Sequence, residues 1–368
     1  MMTNSPPPPA GFVVWDANVP QDLSNWIEAW NRWPAREVSA HPSYLCLFAA
    51  NDDEILCASY RAPDGGEVIY PFLRRDLSTL AGGDLWSDIT TPYGYGGPAY
   101  WNVRDMESVS VPFWDQFDRW ATKTGIVSEF IRFDLLGEGH PTYPGERVER
   151  SINVVRSLEL DDEQMWMSFE QKVRKNVKKA ERSGVSITVD ETGSQIADFR
   201  RLYAGTMERR DAATGYYFPP EFFEAIHRDL PGQFAYFHAH LDDVIISTEL
   251  VLVSQNTVYS FLGGTDSSTF DHRPNDLLKH AIIRWARDKG KTNFVLGGGA
   301  SPGDGIERYK KAFAPHGSID FVTGQRVLIP EIYEQLVKAR RLEVERAGRA
   351  WPGSSDFFPA YRMPGDAA

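Results

Sequence analysis

One pattern occurs twice in this chain of 368 residues, and it limits the fold more than any composition does. Residues Tyr44–Ala50, Ile55–Arg61 and Val68–Arg74 read as three short strands, separated by NDDE and APDGGE, both hairpin chemistry. Phe234–His240, Val244–Val253 and Val258–Gly264 repeat the layout, at an offset of about 190 residues; that is the size of a domain, not of a solenoid repeat. Each meander follows an amphipathic helix, DLSNWIEAWNRW or SQIADFRRLYAGTMERR. In the second of these, Ile196, Phe199 and Tyr203 form one apolar stripe. Downstream, PFWDQFDRWATKTG corresponds to NDLLKHAIIRWARDKG. Each of these helices stops at a glycine, Gly125 or Gly290, and is followed by a strand, FIRFDL or NFVLGG. Helix, meander, helix, strand, twice over, predicts two mixed α/β domains of similar topology.

The expected organisation is a proline-rich disordered start at 1–10, a first domain at 11–155, a second at 156–350 and a loosely held tail from Trp351 to 368. The first copy carries an extra run from Thr90 to Pro98, Thr-Thr-Pro-Tyr-Gly-Tyr-Gly-Gly-Pro, whose glycines and prolines break regular structure. It is either a wall of a ligand groove between the domains, bearing Tyr93 and Tyr95, or a structural Ω-loop.

Charge and cysteine content exclude several function classes. A net charge of −12 argues against general affinity for nucleic acid, DNA included, but leaves room for one local basic face. The two cysteines, Cys46 and Cys57, match no metal spacing and read as small apolar residues on neighbouring strands of a reduced protein. The start lacks a basic end and an apolar run, and no stretch approaches the ~20 apolar residues of a membrane span. The expectation is a soluble cytoplasmic protein with no membrane insertion. Aromatic residues reach 13%, which suits either large cores or amphipathic clefts.

The chain has no G-x-x-x-x-G-K-[ST], G-x-S-x-G or H-E-x-x-H, and the His238/His240 pair lacks a third ligand, so no metal is expected. Four features carry chemistry. Phe169 to Gly184 predicts a helix with Phe169, Val173, Val177 and Ala180 on one side and Lys172, Arg174, Lys175, Lys178, Lys179 and Arg182 on the rest. In an acidic protein this cluster reads as a docking face for a phosphate-rich partner, against the bland reading of a solvated helix face. From Leu296 a strand ends in three glycines and the chain returns as a short helix with Tyr309, Lys310 and Lys311. Ligands collect at such strand ends, and a lysine there steadies an oxyanion or a phosphate. Glu249, amid apolar neighbours on a strand, is either a base with a raised pKa or the partner of a core arginine.

These segments resemble the Fem/FemX family. The similarity lies in R-K-N-V-K-K-A-E-R-S-G-V at 174–185, T-M-E-R at 206–209 with Tyr217-Phe218 beyond, F-L-G-G-T-D at 261–266, P-N-D-L-L at 274–278 and G-G-G…Y-K-K-A-F-A-P at 297–315. It covers the second domain. The loop at 90–98 is similar to that of uncharacterised Fem-like relatives. The resemblance implies two tandem GNAT-like acyltransferase folds with the acceptor in a cleft between them, and transfer of an aminoacyl group from tRNA to an amine. It assigns the family's aromatic–lysine pair to Tyr309-Lys310, with tyrosine in place of phenylalanine, and gives Lys310 the role of stabilising the reacting carbonyl or the tRNA end. Acceptor contacts fall to Arg209 or the adjacent Arg210, and to Tyr217. The family's first-domain lysine has no counterpart, Arg74 and Arg75 being stand-ins, and the coiled-coil hairpin of some relatives is missing.

The donor is argued from the sequence of the site. Enzymes of this fold that use acyl-CoA cradle its pyrophosphate on a glycine-rich turn at a helix N-terminus. Asp266 to Asn275, the equivalent stretch, contains no glycine, and neither does Asn102 to Val111. That tilts the expected donor from acyl-CoA to aminoacyl-tRNA, with no resident cofactor. The acceptor is expected to be an amine-bearing small molecule or peptide. The alternatives are a CoA-dependent N-acyltransferase acting on a sugar or natural-product amine, and a non-catalytic binder.

Overall fold

The computed structural model describes residues 10–78, 86–137, 142–299, 301–351 and 357–364. Most of the proline-rich start lies outside them. The chain divides into two compact units, residues 1–34, 39–150 and 321–368, and residues 35–38 and 151–320.

The first unit contains β1 (Gly11–Asp16), α1 (Pro20–Arg32), α2 (Pro42–Cys46), β2 (Glu54–Arg61), β3 (Glu67–Asp76), β4 (Ser87–Thr90), β5 (Ala99–Trp101), α3 (Met106–Lys123) and β6 (Ile126–Arg132). Its sheet runs β1-β2-β3-β4-β6, with β5 on β3. It is completed by β13 (Ser318–Val327), which pairs antiparallel with β6 from Thr323 onward, and by α10 (Pro330–Arg346). The domain expected at 156–350 therefore ends early: from Phe321 the chain belongs to the first unit. Apolar burial holds it there. Leu336 and Tyr361 join Leu77 and Val127 in one core cluster.

The same cluster corrects the loose tail. Tyr361 is 1% exposed and shares a hydroxyl–hydroxyl hydrogen bond of 2.7 Å with Ser128, and Arg362 donates to Asp88 at 2.6 Å. The described tail is anchored by a buried aromatic and an ion pair.

The second unit contains β7 (Glu146–Ser157) from residue 151, α4 (Asp162–Ser168), α5 (Gln171–Arg182), β8 (Ser186–Asp190), α6 (Ile196–Arg209), α7 (Pro220–Asp229), β9 (Phe234–Leu241), β10 (Val244–Val253), β11 (Thr257–Thr265), α8 (Pro274–Asp288), β12 (Asn293–Gly298) and α9 (Gly305–Lys311). Its sheet order is β7-β12-β11-β10-β9-β8. Val173, Val177 and Ala180 of α5 and Leu278, Ile282 and Ile283 of α8 pack with Ala235, Phe237, Val251 and Phe294 of the sheet. The apolar stripe predicted for the basic helix is thus its buried face.

The repeat is real but slipped by one strand. Tyr44–Ala50 is not a strand: its first half is α2, with Pro42 at the first turn and His41 Nδ1 accepting from the Ser43 amide at 3.3 Å. Cys46 consequently lies exposed on a helix while Cys57 is buried in β2, so they are not on neighbouring strands. The antiparallel β1–β2 pair matches β8–β9, and the parallel β4–β6 pair matches β11–β12. The first copy's strands β2 and β3 correspond to β9 and β10. The flanking helices α1 and α6, and α3 and α8, correspond as expected.

Among the described residues no helix is long and apolar enough to cross a membrane.

Candidate functional site

The parallel pair is where the two copies part. In the second unit β11 and β12 pair only at Thr257–Asn293, Val258–Phe294 and Tyr259–Val295. Beyond Tyr259, β11 follows β10 to Thr265 and β12 follows β7 to Gly298, so the two strands separate into a V. In the first unit this seam is zipped shut. Thr91 N donates to Phe130 O at 3.2 Å, Arg132 N to Thr91 Oγ1 at 2.8 Å and Asp134 N to Gly96 O at 2.8 Å. The loop at 90–98 makes this seam. At Gly97 a φ of +96° strains any side chain, and a Cβ would crowd Ile131 Cγ2 at 3.1 Å.

The residues proposed on that unit follow from the same packing. Tyr93 is 49% exposed and stacks on Phe48 at 5.6 Å, while Tyr95 meets Phe321 edge-on at 5.8 Å. Arg74 is committed: it donates to Ser87 Oγ at 2.8 Å, Thr124 O at 3.1 Å and Glu54 Oε2 at 3.1 Å. A guanidinium bound on three sides in its own sheet serves as a strut.

In the second unit the open V faces chemistry. Near the end of strand β12 lies Gly297, whose φ of +83° suits glycine and where a Cβ would crowd Lys310 Nζ at 3.3 Å. Asp304 then caps α9 by accepting from the Glu307 amide at 2.7 Å. The helix brings Lys310 back onto the strand end, where its Nζ donates to Gly298 O at 2.6 Å. Burial, then the nearby Lys279 ammonium, pulls the Lys310 pKa down to about 8. It is still largely protonated at neutral pH, but poorly solvated and so a strong donor.

Tyr309 packs edge-on against Phe313 at 5.3 Å, and its hydroxyl is buried without a hydrogen-bond partner among the described residues. Burial, reinforced by the carboxylates of Asp276 and Glu249, pushes its ionisation far above the usual phenol range. It remains a neutral donor with nothing to donate to, the kind of orphan that marks a site awaiting a ligand.

Glu249, 7% exposed, is not paired with an arginine. Its partner is Lys279 of α8, which also donates to Ser260 Oγ at 2.8 Å. That buried ion pair ties β10 to α8. The residue that sequence reasoning missed is Asp276. It is 6% exposed in the first turn of α8, one oxygen accepts from Asn176 Nδ2 at 3.2 Å, and burial raises its pKa to about 6. Nothing in P-N-D-L-L separates it from an ordinary acid that complements a helix dipole.

The cationic helix is split. Lys172, Lys175, Lys178, Lys179 and Arg182 are exposed. Arg174 instead turns back to the carbonyls of Met167 and Phe169, closing the end of α4. Lys172 pairs with Glu170 at 3.2 Å, and Arg182 donates to Lys178 O at 3.1 Å. Of the acceptor candidates, Arg209 donates to Thr265 O at 3.2 Å and lies 5.2 Å from the Phe270 ring. Arg210 is exposed at the end of α6, and Tyr217 is 43% exposed. Among the described residues no group of His, Cys, Asp and Glu could hold a metal ion.

Residues 167–311 match the family model described as an acetyltransferase (GNAT) domain. No curated protein matches in sequence. The crystal structure of FemX superposes with a TM-score of 0.62 at 13% identity, covering 85% of this chain and 97% of that one. The structure of L-PGS from Bacillus licheniformis gives a TM-score of 0.51 at 12% identity, covering 85% and 95%. The C-terminal domain of a putative lysylphosphatidylglycerol synthetase from Agrobacterium fabrum gives 0.50 at 14%, covering 87% and 97%. The chain has the FemX-like tandem GNAT fold.

Proposed function

We propose that this GNAT-fold chain is an N-acyltransferase that moves an aminoacyl group from aminoacyl-tRNA to the amine of a small-molecule or peptide-like acceptor, at the open V of the second unit. The observation that carries the reading is the half-buried Lys310 ammonium held on Gly298 O at the end of β12. A poorly solvated ammonium at a strand end suits an oxygen that gains charge during acyl transfer.

The acceptor amine attacks the ester carbonyl, forming the C–N bond while Lys310 steadies the tetrahedral oxyanion. The C–O bond to the tRNA ribose then breaks and the ribose oxygen leaves as a hydroxyl, taking up a proton equivalent to the one the amine loses, with Tyr309 fit to give it a hydrogen bond. Asp276, with a pKa of about 6, is ionised at neutral pH and suited to take the amine proton. An ester is already activated, so positioning supplies much of the acceleration and no covalent enzyme intermediate is required.

The start of α8 favours this donor over acyl-CoA. The turn before it is capped by Asp266, Pro274 opens the helix, and the Asn275 side chain is tied to Ser247 and Thr265 at 2.6 Å each. The buried Asp276 carboxyl occupies the first turn, where a pyrophosphate would need bare amides. One of the structures sharing the fold is named as a domain of a putative lysylphosphatidylglycerol synthetase, in keeping with aminoacyl chemistry.

Incubation of the purified protein with radiolabelled aminoacyl-tRNA or acetyl-CoA, a panel of amines and an RNase control tests the reading. RNase-sensitive labelling of an amine is expected. Labelling from acetyl-CoA alone would replace it with the CoA-dependent alternative, and no labelling from either donor would point to a binder.

A further inference from the structure

Away from Lys310, the second unit has a cavity of about 220 Å³ lined by Asp162, Met165, Trp166, His280, Arg284 and Arg287. Its wall is aromatic. The rings of Trp166 and His280 meet at 5.2 Å, and Phe169 backs both, at 6.1 and 6.0 Å. Burial, then the charge of Arg284, holds the His280 pKa down at about 4, so this ring is neutral and can both donate and accept.

The rim is cationic. Lys178 Nζ lies 5.8 Å from the Trp166 ring centre, and Arg287 pairs with Asp162. Arg284 is exposed and makes no hydrogen bond or ion pair among the described residues. His280, Arg284 and Arg287 fall on one stripe of α8, which puts both arginines beside the aromatic wall. A half-exposed indole, a neutral imidazole and an uncommitted guanidinium at the mouth form a combination that recognises a flat base joined to a phosphate. A purely structural role for Trp166 would not require cations around its rim.

We propose that this pocket is a subsite for one unpaired nucleotide of a single-stranded RNA, its base stacked on Trp166 and its phosphate held between Lys178 and Arg284. The proposal rests on the RNA-borne donor argued above and adds where that RNA is gripped. It also gives the basic face of α5 a destination, because Lys178 belongs to both.

The test is fluorescence anisotropy of a fluorescein-labelled single-stranded tetraribonucleotide, ACCA, with the full chain and its W166A, W166F and R284A variants. Base stacking predicts roughly tenfold or greater weakening for W166A, with W166F retaining most of the affinity. R284A, an exposed substitution that leaves folding aside, is expected to weaken binding several-fold and to flatten its salt dependence. A duplex of the same sequence and free CoA should compete poorly. Wild-type affinity in both W166A and R284A, no binding of the oligonucleotide at all, or efficient displacement by CoA or the duplex would overturn the subsite. The assay needs no aminoacyl group. Weakened ACCA binding by these variants in a protein that fails to use charged tRNA would sink the proposed function and leave the pocket standing. Transfer from charged tRNA with unchanged KM in both variants would do the reverse.

Discussion

Lys310 Nζ lies 2.6 Å from the carbonyl oxygen of Gly298, the last residue of β12, so the lysine's reach is fixed by the strand end it came from. Position 297 suits glycine because its φ of +83° strains any side chain, and a Cβ there would press on the same ammonium at 3.3 Å. Replacing Lys310 by alanine removes a half-buried donor without opening the core. With the transfer assay in hand, Lys310→Ala should lower kcat by ~10²–10³, the effect of losing one oxyanion donor, while the circular dichroism spectrum and melting curve stay close to wild type. Near-normal turnover would end the assignment.

The pH dependence follows from two groups with opposite requirements. Asp276 must be ionised to accept a proton, so the rate should rise through about pH 6; Lys310 must stay protonated, so it should fall above about pH 8. Asp276→Asn should remove the rising limb and leave the falling one. For stability the sign is set by the raised carboxyl pKa: the folded form binds the Asp276 proton more tightly, so its contribution is present in acid and lost as pH rises through about 6. A pH–rate profile with an unchanged acid limb in Asp276→Asn would clear this residue of the role.

Glu249 and Lys279 form a buried pair, each with a side chain 9% exposed. Removing one partner strands a charge in the core, so Glu249→Leu alone should cost about 3–5 kcal/mol, whereas Glu249→Leu with Lys279→Met should recover most of that loss. Urea denaturation of the three variants measures it. Additive losses in the double variant would show that the two side chains do not act as a pair.

The tail is expected to be structural. Tyr361→Ala empties a site that is 1% exposed and should destabilise the first unit by about 3–5 kcal/mol. Truncation after residue 350 should do at least as much. A melting temperature unaffected by either change would refute the anchoring role given to this residue.

Arg74 distinguishes a strut from a ligand contact. Arg74→Ala leaves Ser87, Thr124 and Glu54 without their shared donor and should lower stability by ~1–3 kcal/mol. The acceptor KM should not move; a selective rise in KM would return the residue to the binding site.

What the sequence determined by itself is what local periodicity and punctuation encode. The stripe of Val173, Val177 and Ala180 fixed the buried face of α5, and the glycines at 125 and 290 fixed where α3 and α8 stop. The glycine-rich end of β12 likewise marked the turn that presents Tyr309 and Lys310. Tertiary structure decided the rest, because each remaining question turned on partners remote in the chain. The apolar run at 44–50 suits either helix or strand. The ion-pair partner of Glu249 lies thirty residues away on another element, and Asp276 becomes unusual only once α5 covers it. That the loop at 90–98 closes a seam depended on β6 offering it free backbone groups. Local sequence sets which face of an element is buried; what stands opposite that face is a property of the folded chain.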